Sequence, residues 1–121
     1  MSFDEPQPAT RVEHHDAVTV VTVYGEVDVV KSHELRDRLL GAIRNEDFGL
    51  VVDLSHVSYI DSVGVSLLFE LAERLSERQL RMAVVLTETG LVERVLNIVN
   101  LGSVVDVRRS LDEALSAIPA R

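Results

Sequence analysis

Polar and apolar positions change their period several times along the chain, and each change marks an element. Thr10 to His15 reads as a short strand. Ala17 to Tyr24 (AVTVVTVY), rich in β-branched residues, reads as a strong one. Gly25 closes it and Glu26-Val27-Asp28 makes a loop. From Ser32 to about Asn45, Leu35, Leu39, Leu40 and Ile43 recur at helical spacing with charges between them. Phe48 to Leu54 (FGLVVDL) is a nearly continuous apolar run with the length of a buried strand, and Ser55 to Tyr59 reads as a loop. A second helix begins at Asp61-Ser62 and runs to about Arg78. Leu80 to Leu86 is another buried strand, about Glu88 to Val99 a third helix, and Ser103 to Val107 a last short strand. Ser110-Leu111-Asp112-Glu113 is a capping box opening a final helix whose Leu111, Ala114, Leu115 and Ile118 face inward.

Strands alternating with helices after a leading pair of strands predict an α/β domain, a mixed β-sheet with helices packed against it. The 121 residues fit one domain, expected over residues 10–121, behind a flexible, Pro-containing lead-in at residues 1–9. A chain of this size buries roughly two thirds of the surface it exposes when unfolded, enough for a hydrophobic core. No apolar run approaches the ~20 residues of a membrane span. The acidic start has no basic segment followed by an apolar one, so no secretory leader is expected. With no cysteine, disulfides and thiolate metal sites are excluded, and a cytoplasmic location is expected.

The formal net charge of -8 disfavours nucleic acid and anionic membranes and favours a partner with a basic face. Lys31 is the only lysine, so the Gly-Lys-Ser/Thr triplet of a phosphate-binding P-loop is absent. The arginine bias hints at a GC-rich bacterial genome.

The most informative stretch is Val51 to Leu71 (VVDLSHVSYIDSVGVSLLFEL), where a buried strand leads through a loop into a helix. Projected at about 100° per residue, Val65, Leu68, Ala72 and Leu75 fall on one arc of that helix. Ser62, Ser66, Glu70, Glu73 and Glu77 fall on the opposite one. Ser62 is thus placed on the solvent side of the first turn. Gly64 falls on the buried side, where a missing side chain lets the helix start sit close to the sheet. Capping is the plain reading of Asp61-Ser62, because their oxygens accept from free N–H groups of the first turn. Capping and a functional role can hold for the same residues.

This stretch resembles the signature of STAS domains, in which a buried strand leads to an Asp-Ser-Ser/Thr-Gly motif at a helix start; here it reads Asp61-Ser62-Val63-Gly64. Gly25-Glu26-Val27-Asp28 is similar to the family's Gly-Glu-Leu-Asp element, and the closing Ser-Leu-Asp-Glu-Ala-Leu helix matches as well. The resemblance covers nearly the whole chain and points to the anti-sigma-factor antagonists. It implies a binding switch and not an enzyme, without cofactor or metal. Its partners would be an anti-sigma factor that is a serine protein kinase and a metal-dependent serine phosphatase that resets the switch. Carried onto this chain, the phosphoacceptor is Ser62, with Ser66 a weaker candidate. Glu26, Asp28, Asp61, Ser62, Val63, Gly64 and Ser66 would form the partner-binding surface. Val63 departs from the motif, which usually has a hydroxyl residue there.

His14-His15, His33 and His56 have no i, i+4 helical spacing, and solvated surface histidines are their commoner reading. The adjacent pair point to opposite faces of a strand. Asp53, at the end of a buried strand, reads as a cap of the following loop rather than an acid for Mg²⁺ or phosphate. Glu73, Arg74, Glu77 and Arg78 read as a solvated face with i, i+4 pairs. Two other functions stay open: a STAS accessory subunit of a transporter or stress-signalling assembly without phosphate control, and a small nucleotide hydrolase. The second would need a nucleophile and base tied by spacing, which no Ser, His and Asp set here provides.

Overall fold

The computed structural model describes residues 9–29, 31–86 and 90–118. Five strands form one mixed sheet, in the spatial order of the sequence: β1 (Ala9–His15), β2 (Val18–Val27), β3 (Gly49–Ile60), β4 (Arg81–Val85) and β5 (Asp106–Arg108). The first pair is antiparallel, joined by the tight turn Asp16-Ala17, and every later pair is parallel. The crossovers carry α1 (Ser32–Ala42), α2 (Ser62–Glu77) and α3 (Leu91–Ile98), and α4 (Leu111–Ser116) closes the chain. The mixed α/β architecture is the one the pattern predicts.

The two faces of the sheet are unequal. Leu35 and Leu39 of α1, Leu67, Leu68, Leu71 and Leu75 of α2, and Val92 and Leu96 of α3 bury Val21, Val23, Leu50, Val52, Leu54 and Val84 on one face. On the other, Ala114 and Ile118 cover Val18, Val20, Val51, Ala83 and Val85, with Phe48, Leu111 and Leu115 at the margin. Of the arc predicted for the second helix, Leu68, Ala72 and Leu75 are buried but Val65 only partly; Leu67 and Leu71 complete the inward face. Ser110 caps α4 as expected, its Oγ accepting from the Glu113 N–H at 3.2 Å.

Several boundaries differ from expectation. The predicted loops at Glu26–Asp28 and Ser55–Tyr59 are largely strand, because β2 runs on to Val27 and β3 to Ile60. This is achieved by two β-bulges: Thr22 and Tyr24 pair with Asp53 and His56, and Gly25 and Glu26 with Val57 and Tyr59. Each gives β3 one extra residue, so Leu54, Val57 and Ile60 stay on the core face at a spacing of three where regular alternation needs two. Gly25 lies between the two shifts with φ +89°, a backbone that L side chains rarely adopt. Asp53 Oδ1 accepts from the backbone N–H of Ser55 at 2.9 Å and its hydroxyl at 2.6 Å, capping the first bulge rather than a strand end.

Helix α1 stops at Ala42, short of Asn45. Asp47 takes over there: its buried carboxylate accepts from the backbone N–H of Arg44 at 2.8 Å and the Thr19 hydroxyl at 2.5 Å, and pairs with the Arg44 guanidinium at 2.9 Å. Leu101–Ser103 is a short 3₁₀ turn, so the last strand begins at Asp106 instead of Ser103. Ala9 already belongs to β1; the rest of the predicted lead-in, and Glu88 at the predicted start of the third helix, lie outside the described residues.

Candidate functional site

Three segments meet where β3 hands the chain to α2: the end of β2, the turn after it, and the first turn of α2. Asp61 joins them. Its backbone is extended, and Oδ1 accepts from the N–H groups of Val63 and Gly64, both at 3.0 Å. Those donors have no partner within the helix. Its other oxygen reaches across to the Val29 N–H at 3.1 Å, and its own N–H donates to the Val27 carbonyl at 3.2 Å. The cap of α2 and the turn after β2 are therefore held by the same side chain.

Beneath this contact Gly64 is buried. A Cβ there would lie 2.7 Å from Ile60 Cγ1 and 2.9 Å from Val27 Cγ1, so a side chain is excluded by the packing of α2 on β2 and β3. Gly64 thus offers no surface of its own; it seats the helix. Asp28 shapes the turn, its carbonyl accepting from Lys31 N–H at 3.1 Å and Ser32 N–H at 3.0 Å, with Oδ1 3.2 Å from the same Lys31 nitrogen.

Ser62 stands exposed on the first turn of α2, and Asp61, not Ser62, makes the cap. Glu26 is exposed at the end of β2 opposite Tyr59. The carboxylates of Glu26, Asp28 and Asp61 and the hydroxyl of Ser62 thus come from segments joined at one end of the sheet. Ser66 is one turn further along, exposed beside a shallow groove lined by Val65, Phe69, Glu70, Glu73 and Val104. The i, i+4 pair of this helix falls on Glu70, which meets Arg74 at 3.2 Å and Arg36 of α1 at 3.6 Å.

Val29, Tyr59 and Val63, on the segments that meet at Asp61, are 58%, 41% and 39% exposed. Val29 and Tyr59 escape the sequence reading. The only available signal is an apolar residue beside each motif, and such residues are ordinarily core. His14 and His15 do point to opposite faces: His14 Nδ1 lies 3.0 Å from the Thr19 hydroxyl, whereas His15 borders Val18, Phe48 and Ile118. His56 stacks on Tyr24 with ring centroids 5.0 Å apart. Among the described residues, no group of three or more His, Cys, Asp or Glu side chains could hold a metal ion, and no helix is long and apolar enough to cross a membrane.

Comparison with known proteins agrees with this fold. The STAS domain family model matches residues 9–114. A solved structure of an anti-sigma factor antagonist from Mycobacterium paratuberculosis superposes with a TM-score of 0.81 at 32% identity, over 92% of this chain and 93% of that one. The anti-sigma-F factor antagonist RsfA of Mycobacterium tuberculosis is 27% identical over 108 residues, 88% of this chain and 84% of the relative. RsfB from the same organism is 24% identical over 107 residues, 88% of this chain and 86% of the relative. With the family model spanning all five strands and a bulged β3 delivering Asp61-Ser62 to the start of α2, the chain belongs to the STAS domain family.

Proposed function

We propose that this chain is an anti-sigma factor antagonist, a binding switch that docks a serine-kinase anti-sigma factor in the cytoplasm and is turned off by phosphorylation of Ser62. The observation that carries the reading is the division of labour at the start of α2. Asp61 caps the helix, and Ser62 is left exposed beside it, with Val29, Tyr59 and Val63 exposed on the segments that meet at Asp61. The names of the similar proteins support the class of partner.

The unmodified surface would bind the kinase through Val29, Tyr59 and Val63, with Glu26, Asp28 and Asp61 facing a basic surface. Transfer of a phosphoryl group from ATP to the Ser62 hydroxyl adds about -1.5 to -2 charges. That charge lands beside the Asp61 carboxylate, which already occupies two first-turn N–H groups. It would disrupt docking by bulk and repulsion while leaving the helix in place, since a helix N-terminus tolerates anions. A metal-dependent serine phosphatase would restore the hydroxyl.

The test is intact-mass analysis after incubation with ATP, magnesium and an anti-sigma factor of the serine-kinase type, with Ser62→Ala in parallel. One phosphate, absent from the variant, and loss of kinase binding with an unchanged far-ultraviolet helix signal are expected. Modification at Ser66 alone, or undiminished binding by the phosphorylated chain, would overturn the reading.

A further inference from the structure

Of the two edges of the sheet, β5 is only three residues long, whereas β1 is seven residues with an unbroken register against β2. A long, regular edge is a template for another strand, and proteins usually blunt it with a bulge, a proline or a lysine. Ala9–His15 (ATRVEHH) has none of these, and Val12 at its middle is 46% exposed.

The two-residue turn Asp16-Ala17 makes His15 and Val18 the closing hydrogen-bonded pair of the hairpin. Bonded positions alternate along an antiparallel pair, so Ala9, Arg11, Glu13 and His15 bond to β2. The N–H and C=O of Thr10, Val12 and His14 therefore point away from the sheet. The two charges of the strand, Arg11 and Glu13, flank Val12 on one face and lie 3.6 Å from each other.

We propose that β1 is a self-association edge, pairing antiparallel with β1 of a second copy about a two-fold axis at Val12. In that register Val12 faces Val12 of the second copy, and the outward N–H and C=O groups of Thr10 face those of His14. Arg11 stands opposite Glu13, and by symmetry Glu13 opposite Arg11. Charges on an edge ordinarily keep it open; in the order Arg-Val-Glu they are complementary to their own reverse. The order Arg-Val-Arg would repel a second copy. Such a dimer is isologous and continues the sheet through both molecules.

The experiment is sedimentation velocity on the full chain over roughly 1 µM to 1 mM. The unaltered protein is expected to pass from monomer to dimer as concentration rises. Arg11→Glu alone and Glu13→Arg alone each set like charges opposite one another twice. Each should weaken the dimer about tenfold or more, given ordinary cross-strand pair energies. Mixing the two variants should restore association, because both glutamates of the first variant then stand opposite arginines of the second. The intrachain ion pair lost in each variant is surface-exposed and contributes little to folding. Matching thermal unfolding will show that each variant is folded. A monomer at every concentration, or single variants that associate like the unaltered protein, would overturn the proposal. So would failure of the mixture to recover.

Discussion

Asp61 illustrates how much one side chain can carry. It closes the first turn of α2 with two hydrogen bonds and holds Val29 with a third. Removing an N-cap typically costs about 1 kcal/mol, and the Val29 bond adds a comparable amount. Asp61→Ala should therefore lower unfolding free energy in urea by about 1–3 kcal/mol. Asn at this position keeps acceptor capacity and should lose less. Asp61 and Gly64 were legible in the sequence because capping and close approach each demand a particular residue type. Val29 and Tyr59 were not, since an apolar side chain carries no mark of whether it is covered.

At the level of elements, the seating of α2 on the sheet rests on the missing side chain at Gly64. Two effects oppose each other in Gly64→Ala. Alanine favours a helix over glycine by about 1 kcal/mol. Against that, its Cβ would meet Ile60 and Val27 side chains within 3 Å, with the Val27 carbonyl at 3.1 Å, and the carbonyl belongs to the sheet itself. Overpacking of this kind costs about 1–3 kcal/mol, so a net loss of up to about 2 kcal/mol in a denaturant titration is expected, with α2 lifted at its start. The elements themselves were mostly visible from periodicity, and the ends of β2 and β3 were not. Leu54, Val57 and Ile60 are spaced for neither a regular strand nor a helix; the bulges that reconcile them with one face depend on pairing with β2, which no local pattern records.

For the whole molecule, Asp47 ties the hairpin, the end of α1 and the start of β3 into one body through Thr19 and Arg44. Little in the sequence hints at this: Thr19 reads as one more β-branched strand residue, and Asp47 as one of many loop acids. Burial alone would raise the Asp47 pKa, but the Thr19 hydroxyl and the Arg44 backbone and guanidinium outweigh it and hold the group below its ordinary 3.8. A carboxylate lowered in the folded state contributes stability above its unfolded pKa and loses it as pH falls through the folded value. Asp47→Ala should thus cost about 2–4 kcal/mol near neutrality. The gap from the unaltered protein should narrow below pH 3.8 in acid-dependent unfolding curves. The strand order β1-β2-β3-β4-β5 has a consequence of its own. Open α/β sheets commonly lodge small ligands in a crevice where the strand order reverses, and this order never reverses. The carboxyl end of β3 therefore presents a projecting helix start instead of a cleft. On the proposed function, recognition there would be spread over an area, and a competitor would have to imitate a protein surface, not fill a hole.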